Sequence, residues 1–164
     1  RVAEQLTITE APDLPPAPAP ASARVPADPM RARAVVVPVD ELNKATLRAL
    51  EYACSISDNV SAVHVTDELE DGEQLRRRWE ELAPRTPIVV IESPYRSFIA
   101  PMLAYIDAID RSDPEAYITV VLPEFMPAHA WEGLLHNQSA NRLKKVLRHR
   151  PNTILIDVPY HLQP

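Results

Sequence analysis

Five short runs of β-branched and other apolar residues recur along the chain, and segments with apolar positions at helical spacing separate them. The runs cover residues 34–39, 60–65, 88–91, 117–122 and 153–159. Continuous apolar runs of this length are typical of strands buried on both faces of a parallel sheet. Since amphipathic helices connect them, the pattern predicts an α/β fold: a five-stranded parallel sheet in the order 3-2-1-4-5 with helices on both faces.

The first run is the predicted centre of the sheet, and the helix after it indicates how the core packs. Apolar residues between Leu42 and Cys54 recur at helical spacing and predict a helix over residues 43–56. Cys54 lies in that stripe, so we expect a buried core thiol. His64 interrupts the second run; a strand-edge or core histidine is expected there, and a ligand role is the alternative.

Two of the predicted helices carry opposite charge. Residues 67–73 place five acids at the start of the second helix, where carboxylates interact favourably with the helix dipole. The last helix has a basic outer face, formed by Arg142, Lys144, Lys145, Arg148 and Arg150. Its predicted buried face comprises Ala140, Leu143, Val146 and Leu147. A solvated surface explains the basic side chains, and contact with an acidic membrane surface or partner is the alternative.

Composition narrows the classes of protein that the chain can represent. Of its 164 residues, 46% are apolar and the net charge is −6, which suits one domain with a real core and disfavours a nucleic-acid binder. Cys54 is the single cysteine and there are two glycines. These counts exclude an internal disulfide, a cysteine metal cluster and a Gly-rich phosphate loop. No apolar run has the length of a membrane span.

Residues 1–31 differ in composition from the rest and are interpreted as a Pro/Ala-rich tail or linker, followed by an α/β domain over residues 32–164. Seven prolines lie between residues 11 and 31, a composition that favours a semi-rigid, extended spacer. Residues 6–9, Leu-Thr-Ile-Thr, alternate in polarity and are a candidate edge strand. If the tail is ordered, we expect it to pack on a second copy of the domain.

Chemistry-bearing residues cluster where predicted strands end or the last helix begins. They form the stretches Pro38-Val39-Asp40, Ser93-Pro94-Tyr95-Arg96-Ser97 and His136-Asn137-Gln138-Ser139. In an open α/β sheet, ligands bind at the carboxyl ends of the strands, near the point where strand order reverses. A tyrosine ring can stack on a base, an arginine can pair with a phosphate, and a helix start attracts anions. Helix capping is the alternative for the two serines near residue 95.

The chain resembles a universal stress protein domain over residues 34–162. In that family a Pro-Val-Asp-like triplet at the end of the first strand holds adenosine, as Pro38-Val39-Asp40 stands here. The family's Gly-x-x-Gly loop and later Gly-Ser/Thr pair are absent; the matching regions read Pro123-Glu124-Phe125 and Asn137-Gln138-Ser139. Three blocks are similar to the cytoplasmic C-terminal domain of bacterial amino-acid–polyamine–cation (APC) superfamily permeases, including potassium importers of the KimA type: residues 93–97, 134–139 and 158–162.

This resemblance implies a cytoplasmic regulatory domain of a membrane transporter, which dimerises and senses cyclic di-AMP or another adenine nucleotide. The implied partners are a second copy and the transmembrane part of the same transporter, and neither a metal nor a tightly bound cofactor is implied. A ligand-free assembly module of an amino-acid permease is the alternative. An enzyme is not expected, because no nucleophile, base and orienting group occur at a spacing that supports catalysis.

Overall fold

The computed structural model describes residues 34–94, 97–126 and 138–161. Strands and helices alternate along them: β1 Ala34–Pro38, α1 Lys44–Ile56, β2 Val60–Thr66, α2 Leu69–Leu82, β3 Ile88–Glu92, α3 Ile99–Ser112, β4 Ile118–Met126, α4 Gln138–Leu147 and β5 Thr153–His161. The predicted tail or linker and its candidate edge strand lie outside the described residues.

The strands form one parallel sheet in the order β3-β2-β1-β4-β5, which confirms the predicted topology. β1 is central: Val35 aligns with Val60 of β2 on one side and with Thr119 of β4 on the other. Strand order reverses between β1 and β4. Because all strands are parallel, their carboxyl ends lie at one edge of the sheet, which is the edge where ligands bind in this fold class.

Helices cover both faces of the sheet and divide the core into two layers. The first layer is formed by α1 and α2, whose buried residues against the sheet include Ala49, Ala53, Leu75 and Trp79. The second layer is formed by α3 and α4, with Met102, Ile106, Leu143 and Leu147. β1 serves both, since Val35 and Val37 belong to the first layer and Val36 to the second. This alternation is what a strand buried on both faces requires.

α1 begins at Lys44 because Asn43 caps it. The Asn43 side chain accepts a hydrogen bond from the backbone N–H of Thr46 at 3.0 Å, which satisfies one of the free donors of the first turn. The expected burial of Cys54 is wrong: the thiol is exposed, and its Sγ lies 3.5 Å from the hydroxyl oxygen of Thr86. Cys54 lies at the border of the apolar stripe, where helical spacing alone does not separate buried from exposed positions.

α2 approaches the sheet closely at a glycine and is fixed near its end by a tryptophan. A Cβ added at Gly72 would lie 2.7 Å from Cγ1 of Val90 in β3, so a larger residue there must displace its neighbour. Trp79 is 2% exposed, and its indole N–H donates to the backbone oxygen of Thr86 at 2.7 Å. Glu70 and Asp71 occupy the first turn, as the acidic start of this helix predicts.

β4 and β5 run further than their apolar patterns indicate. The apolar pattern ends β4 before Pro123, yet the strand continues to Met126, which aligns with His161 of β5. The aligned pairs of β4 with β1 end at Val120, so among the strands that the structure describes, the later part of β4 has a partner on one side only. Proline is tolerated in such a segment, because the unpaired side loses no hydrogen bond when an N–H is missing.

The apolar stripe of α4 is narrower than the sequence indicates. Leu143 and Leu147 are fully buried, whereas Val146 is 39% exposed, so the predicted burial of Val146 is wrong. Val146 follows Leu143 by three positions and adjoins Leu147, and therefore lies at the flank of the stripe rather than at its centre. The outer side of α4 is thus not purely polar.

Candidate functional site at the carboxyl edge of the sheet

Pro38, Val39 and Asp40 lie at the carboxyl end of the central strand, where the sequence predicts them. Pro38 and Val39 are buried and Asp40 is exposed. The backbone N–H of Val39 donates to the carbonyl of Val63 at 2.9 Å, so β2 still holds the chain at this point. Asp40 therefore extends from a fixed backbone, and its carboxylate can accept hydrogen bonds from the amino or hydroxyl groups of a ligand.

His64 contacts the same stretch of chain from β2. It is 7% exposed, and its Nδ1 lies 2.9 Å from the carbonyl oxygen of Val39. Because a carbonyl only accepts, Nδ1 carries the proton in this contact and donates it. The geometry supports a core histidine that fixes the residue before Asp40.

A cavity of about 310 Å³ opens at this edge beside β2 and β3. It is lined by Val65, Thr66, Asp67, Ser93, Ser97 and Phe98. Ser93 is 5% exposed, and its backbone N–H donates to the carbonyl of Thr66 at 2.7 Å, which joins the ends of the two strands. Neither serine caps α3, because Phe98 occupies the N-cap position without a side-chain hydrogen bond. The two serines predicted from sequence thus meet in one cavity.

Thr66 and Asp67 are cavity residues that sequence reasoning missed. The Thr66 hydroxyl donates to the carbonyl of Glu68 at 3.0 Å and accepts from the backbone N–H of Glu68 at 3.1 Å. This short turn places Asp67 at the cavity, directly after β2. Their position at the end of a neighbouring parallel strand is the signal that identifies them, because such ends share an edge with Asp40.

The third predicted stretch reaches the start of α4. Gln138 is the first residue of this helix, and the exposed Ser139 follows it. Ser139 is not among the residues that line the cavity.

The half-buried Lys144 anchors α4 to the sheet through two acids. Its Nζ lies 2.8 Å from Oδ1 of Asp157 in β5 and 3.5 Å from Oε1 of Glu124 in β4.

The described site residues therefore occupy three places along one edge: the end of β1, the cavity beside β2 and β3, and the start of α4. The exposed Pro94 follows the cavity residue Ser93 in a turn. Four predicted site residues, together with the side chain of Gln138, lie outside the described residues: Tyr95, Arg96, His136 and Asn137. Their roles in stacking and phosphate pairing stay predictions.

The chemistry of the cavity suits a polar organic ligand. Its serine and threonine hydroxyls both donate and accept, the Asp67 carboxylate accepts, and Val65 and Phe98 supply apolar surface. Among the described residues, no group of three or more His, Cys, Asp or Glu side chains could hold a metal ion. None of the helices in the described ranges is long and apolar enough to cross a bilayer.

An open parallel sheet with a cavity at its carboxyl edge defines a doubly wound α/β domain. Residues 31–160 match the family described as the KimA potassium transporter C-terminal domain, and the chain belongs to this family. The chain is also 33% identical over 131 residues to the potassium transporter KimA of Bacillus subtilis (strain 168). That match covers 79% of the chain but 22% of the relative, so the chain spans only a minor part of the length of that transporter. Membership of a transporter-domain family agrees with the expected non-enzymatic role.

Proposed function

We propose that the chain is the cytoplasmic regulatory domain of a membrane transporter, that it binds an adenine dinucleotide such as cyclic di-AMP, and that it dimerises to control transport. The observation that carries this proposal is the cavity at the carboxyl edge, in a chain that belongs to a potassium transporter domain family. The related protein is named as a potassium transporter, which makes potassium the proposed cargo of the whole protein.

The size of the cavity bears on how such a ligand would bind. Ligand cavities typically measure about 300–1,000 Å³, and this one, at about 310 Å³, is at the lower end. Its volume suits one of the two nucleotides of such a ligand. The second nucleotide would lie along the sheet edge, toward Asp40 and the start of α4.

The polar and aromatic residues of the predicted site then have roles in the proposed complex. Asp40 accepts from an adenine amino group or a ribose hydroxyl, Tyr95 stacks on a base, and Arg96 pairs with a phosphate. The proposed donors to phosphate oxygens are Ser93, Ser97, His136, Asn137, Gln138 and Ser139. Because the net charge of −6 opposes an anionic ligand, these local donors must outweigh the field of the whole chain.

Calorimetry with cyclic di-AMP tests the ligand and the site together. A charged hydrogen bond contributes roughly 1.5–3 kcal/mol, so Arg96→Ala should weaken binding about ten- to a hundredfold. Arg77→Ala, which removes an exposed arginine of α2, is the matched control and should leave the affinity unchanged. Absence of heat with the wild-type chain rejects the ligand, and equal affinities for the wild type and Arg96→Ala reject the site.

The open side of β5 favours a second candidate, the ligand-free assembly module. Within the described residues β5 pairs with β4 alone, and an edge strand of nine residues is a surface on which another chain can pair. Thermal shift with a panel of adenine nucleotides separates the two candidates, because a ligand that binds only the folded state must raise the melting temperature. Sedimentation of the full chain and of a chain lacking residues 1–31 tests dimerisation and the contribution of the tail.

A further inference from the structure

The outer side of α4 and the turn that follows it carry a dense group of exposed cations. Arg142, Lys145 and Arg148 are exposed, and residues 138–152 contain no acid. Val146 lies among them and is 39% exposed. We call Arg142, Lys145, Val146 and Arg148 the α4 surface; the first three lie at positions i, i+3 and i+4, so they share one side of the helix.

The fold itself does not use these cations. Two other cations of the same segment, Lys144 and Arg150, form ion pairs with acids of β4, β5 and α3. Within the described ranges, none of the three cations of the α4 surface takes part in an ion pair. The helix therefore separates its cations into those that hold it in place and those that face outward.

A second basic run in the chain shows what an ordinary solvated surface looks like. Arg76, Arg77 and Arg78 are exposed on α2, in the opposite layer. Glu73 precedes the first of these arginines by three positions, and Glu80 and Glu81 follow the last within one helical turn. Acids at such spacing offset the positive charge of neighbouring arginines. The α4 surface has no such acids in its own segment. Asp157 of β5 lines the same cavity as Arg148, but Lys144 already pairs with it.

The α4 surface extends toward β5 rather than toward α3. Arg148 lines a second cavity, of about 400 Å³, together with Ile154 of β5, and Ile154 is 43% exposed. On the other side, the end of α3 and the turn after it bear Asp110, Asp113 and Glu115, which lower the positive potential there. The result is a bounded cationic area, flanked by Ile154 on the β5 side and by Val146 on the other side of the helix.

We propose that the α4 surface docks on the anionic phospholipid headgroups of the membrane that holds the transporter. The inference rests on the part of the proposed function that attaches the chain to a membrane protein, and not on nucleotide binding. Guanidinium and ammonium groups pair with headgroup phosphates, while Val146 and Ile154 contact the headgroup layer. A lipid surface accepts an irregular set of flexible cations, whereas a folded acidic partner needs acids in matching positions.

Docking through this surface depends on the chain being held near the membrane. Each Lys or Arg close to an anionic surface is worth about a fivefold gain in binding, so three give roughly a hundredfold. The net charge of −6 opposes the approach of the chain as a whole. A tether overcomes this by raising the local concentration, and attachment to the transporter supplies such a tether.

The experiment tethers the 164-residue chain to vesicles through a histidine tag ahead of Arg1 and a nickel-chelating lipid. The vesicles are phosphatidylcholine with or without about 30% phosphatidylglycerol, which gives them an anionic surface potential. A dye on His149→Cys in a Cys54→Ser background reports energy transfer to an acceptor in the lipid. A dye on the native Cys54, which is exposed on α1 in the first layer, reports the opposite side.

With phosphatidylglycerol present, transfer from position 149 should rise, transfer from Cys54 should not, and high salt should remove the difference. The triple variant Arg142→Glu, Lys145→Glu and Arg148→Glu should lose the effect, which corresponds to about a hundredfold or greater loss of docking. The matched variant Arg76→Glu, Arg77→Glu and Arg78→Glu carries the same change in charge and should keep it. Circular dichroism checks that both variants fold.

Three outcomes overturn the proposal. The first is transfer from position 149 that does not depend on phosphatidylglycerol. The second is equal loss in both triple variants, which assigns the effect to net charge. The third is self-association that needs the α4 surface and occurs without lipid, which assigns the surface to a second copy. Calorimetry with cyclic di-AMP on the same samples is independent, so a failure of nucleotide binding does not count as a failure of docking.

Discussion

The two helical layers that cover the sheet are built differently. In the first layer, α1 and α2 approach the strands closely at small residues, beside the large side chains of Leu75 and Trp79. Ala49 and Ala53 are fully buried, and Gly72 brings α2 against Val90 of β3. In the second layer, α3 and α4 fill the space with long side chains such as Met102 and Leu143. Ion pairs then join α4 to the sheet and to α3.

This difference shows where the molecule tolerates change. Close packing between backbones depends on shape and leaves no room for added atoms. Long side chains and half-exposed ion pairs adjust more readily, because solvent screens the charges and the side chains have several rotamers. We therefore expect substitutions in the first layer to destabilise the fold more than substitutions at the polar contacts of the second.

Trp79→Ala should have the largest effect. Trp79 is 2% exposed, so its truncation leaves a cavity in the first layer, and the free energy of unfolding should fall by about 3–5 kcal/mol. Urea denaturation followed by circular dichroism measures the loss. Trp79→Phe keeps most of the volume but removes the donor to Thr86, and should cost clearly less. A loss below about 1 kcal/mol in Trp79→Ala, the size of an ordinary surface change, would contradict this account.

Gly72→Val comes second, with an expected loss of about 2–3 kcal/mol from overpacking. The first added carbon already lies 2.7 Å from Cγ1 of Val90 and 3.3 Å from Cγ2 of Thr66. Gln74→Val, at an exposed position of the same helix, is the control and should cost only the helix propensity of valine. Adding Val90→Ala to Gly72→Val should restore part of the stability in a double-mutant cycle, and full additivity would show that the two residues do not clash.

Lys144→Met should cost about 1 kcal/mol. The substitution removes the cation between Glu124 and Asp157 and keeps the length of the aliphatic chain. Because the Asp157 side chain is 45% exposed, solvent reduces the penalty of leaving it unpaired. Lys145→Met changes the exposed neighbour and should stay within about 0.5 kcal/mol of the wild type. Equal losses in the two variants would show that Lys144 does not anchor α4.

Asp107→Asn should have the smallest effect. Its partner, Arg150, joins the end of α4 to α3, but the Asp107 side chain is 48% exposed, and exposed ion pairs contribute about 0.2–1 kcal/mol. We expect a loss near the lower end of that range at low salt and none in concentrated sodium chloride. A loss of the same size in high salt would contradict this prediction, because it would show that solvent and salt do not screen the Asp107–Arg150 ion pair.

Much of the fold follows from the sequence because apolar periodicity reports which face of an element is covered. It identifies the five strands, the central position of β1 and the shared edge of Asp40 and Ser93. It does not report how far a face extends sideways, and this explains the wrong predictions for Cys54 and Val146 at the flanks of their stripes. The end of the second apolar run indicates that Asp67 lies at this edge, but the hydrogen bonds of the Thr66 turn, which set its position at the cavity, are not encoded in the spacing of apolar residues.

The two parts of β4 differ in how many partner strands they have, and this difference should affect how fast their amide hydrogens exchange. Up to Val120 this strand lies between β1 and β5, whereas the segment that contains Phe125 has β5 as its only partner among the described strands. Amides of the inner part become exposed only when the whole sheet opens, but amides of the outer part can exchange when a two-stranded ribbon frays. One continuous strand should therefore contain a slow half and a fast half. The fast half lies at the carboxyl edge of the sheet. Binding of the proposed ligand at that edge would slow the exchange of its amides.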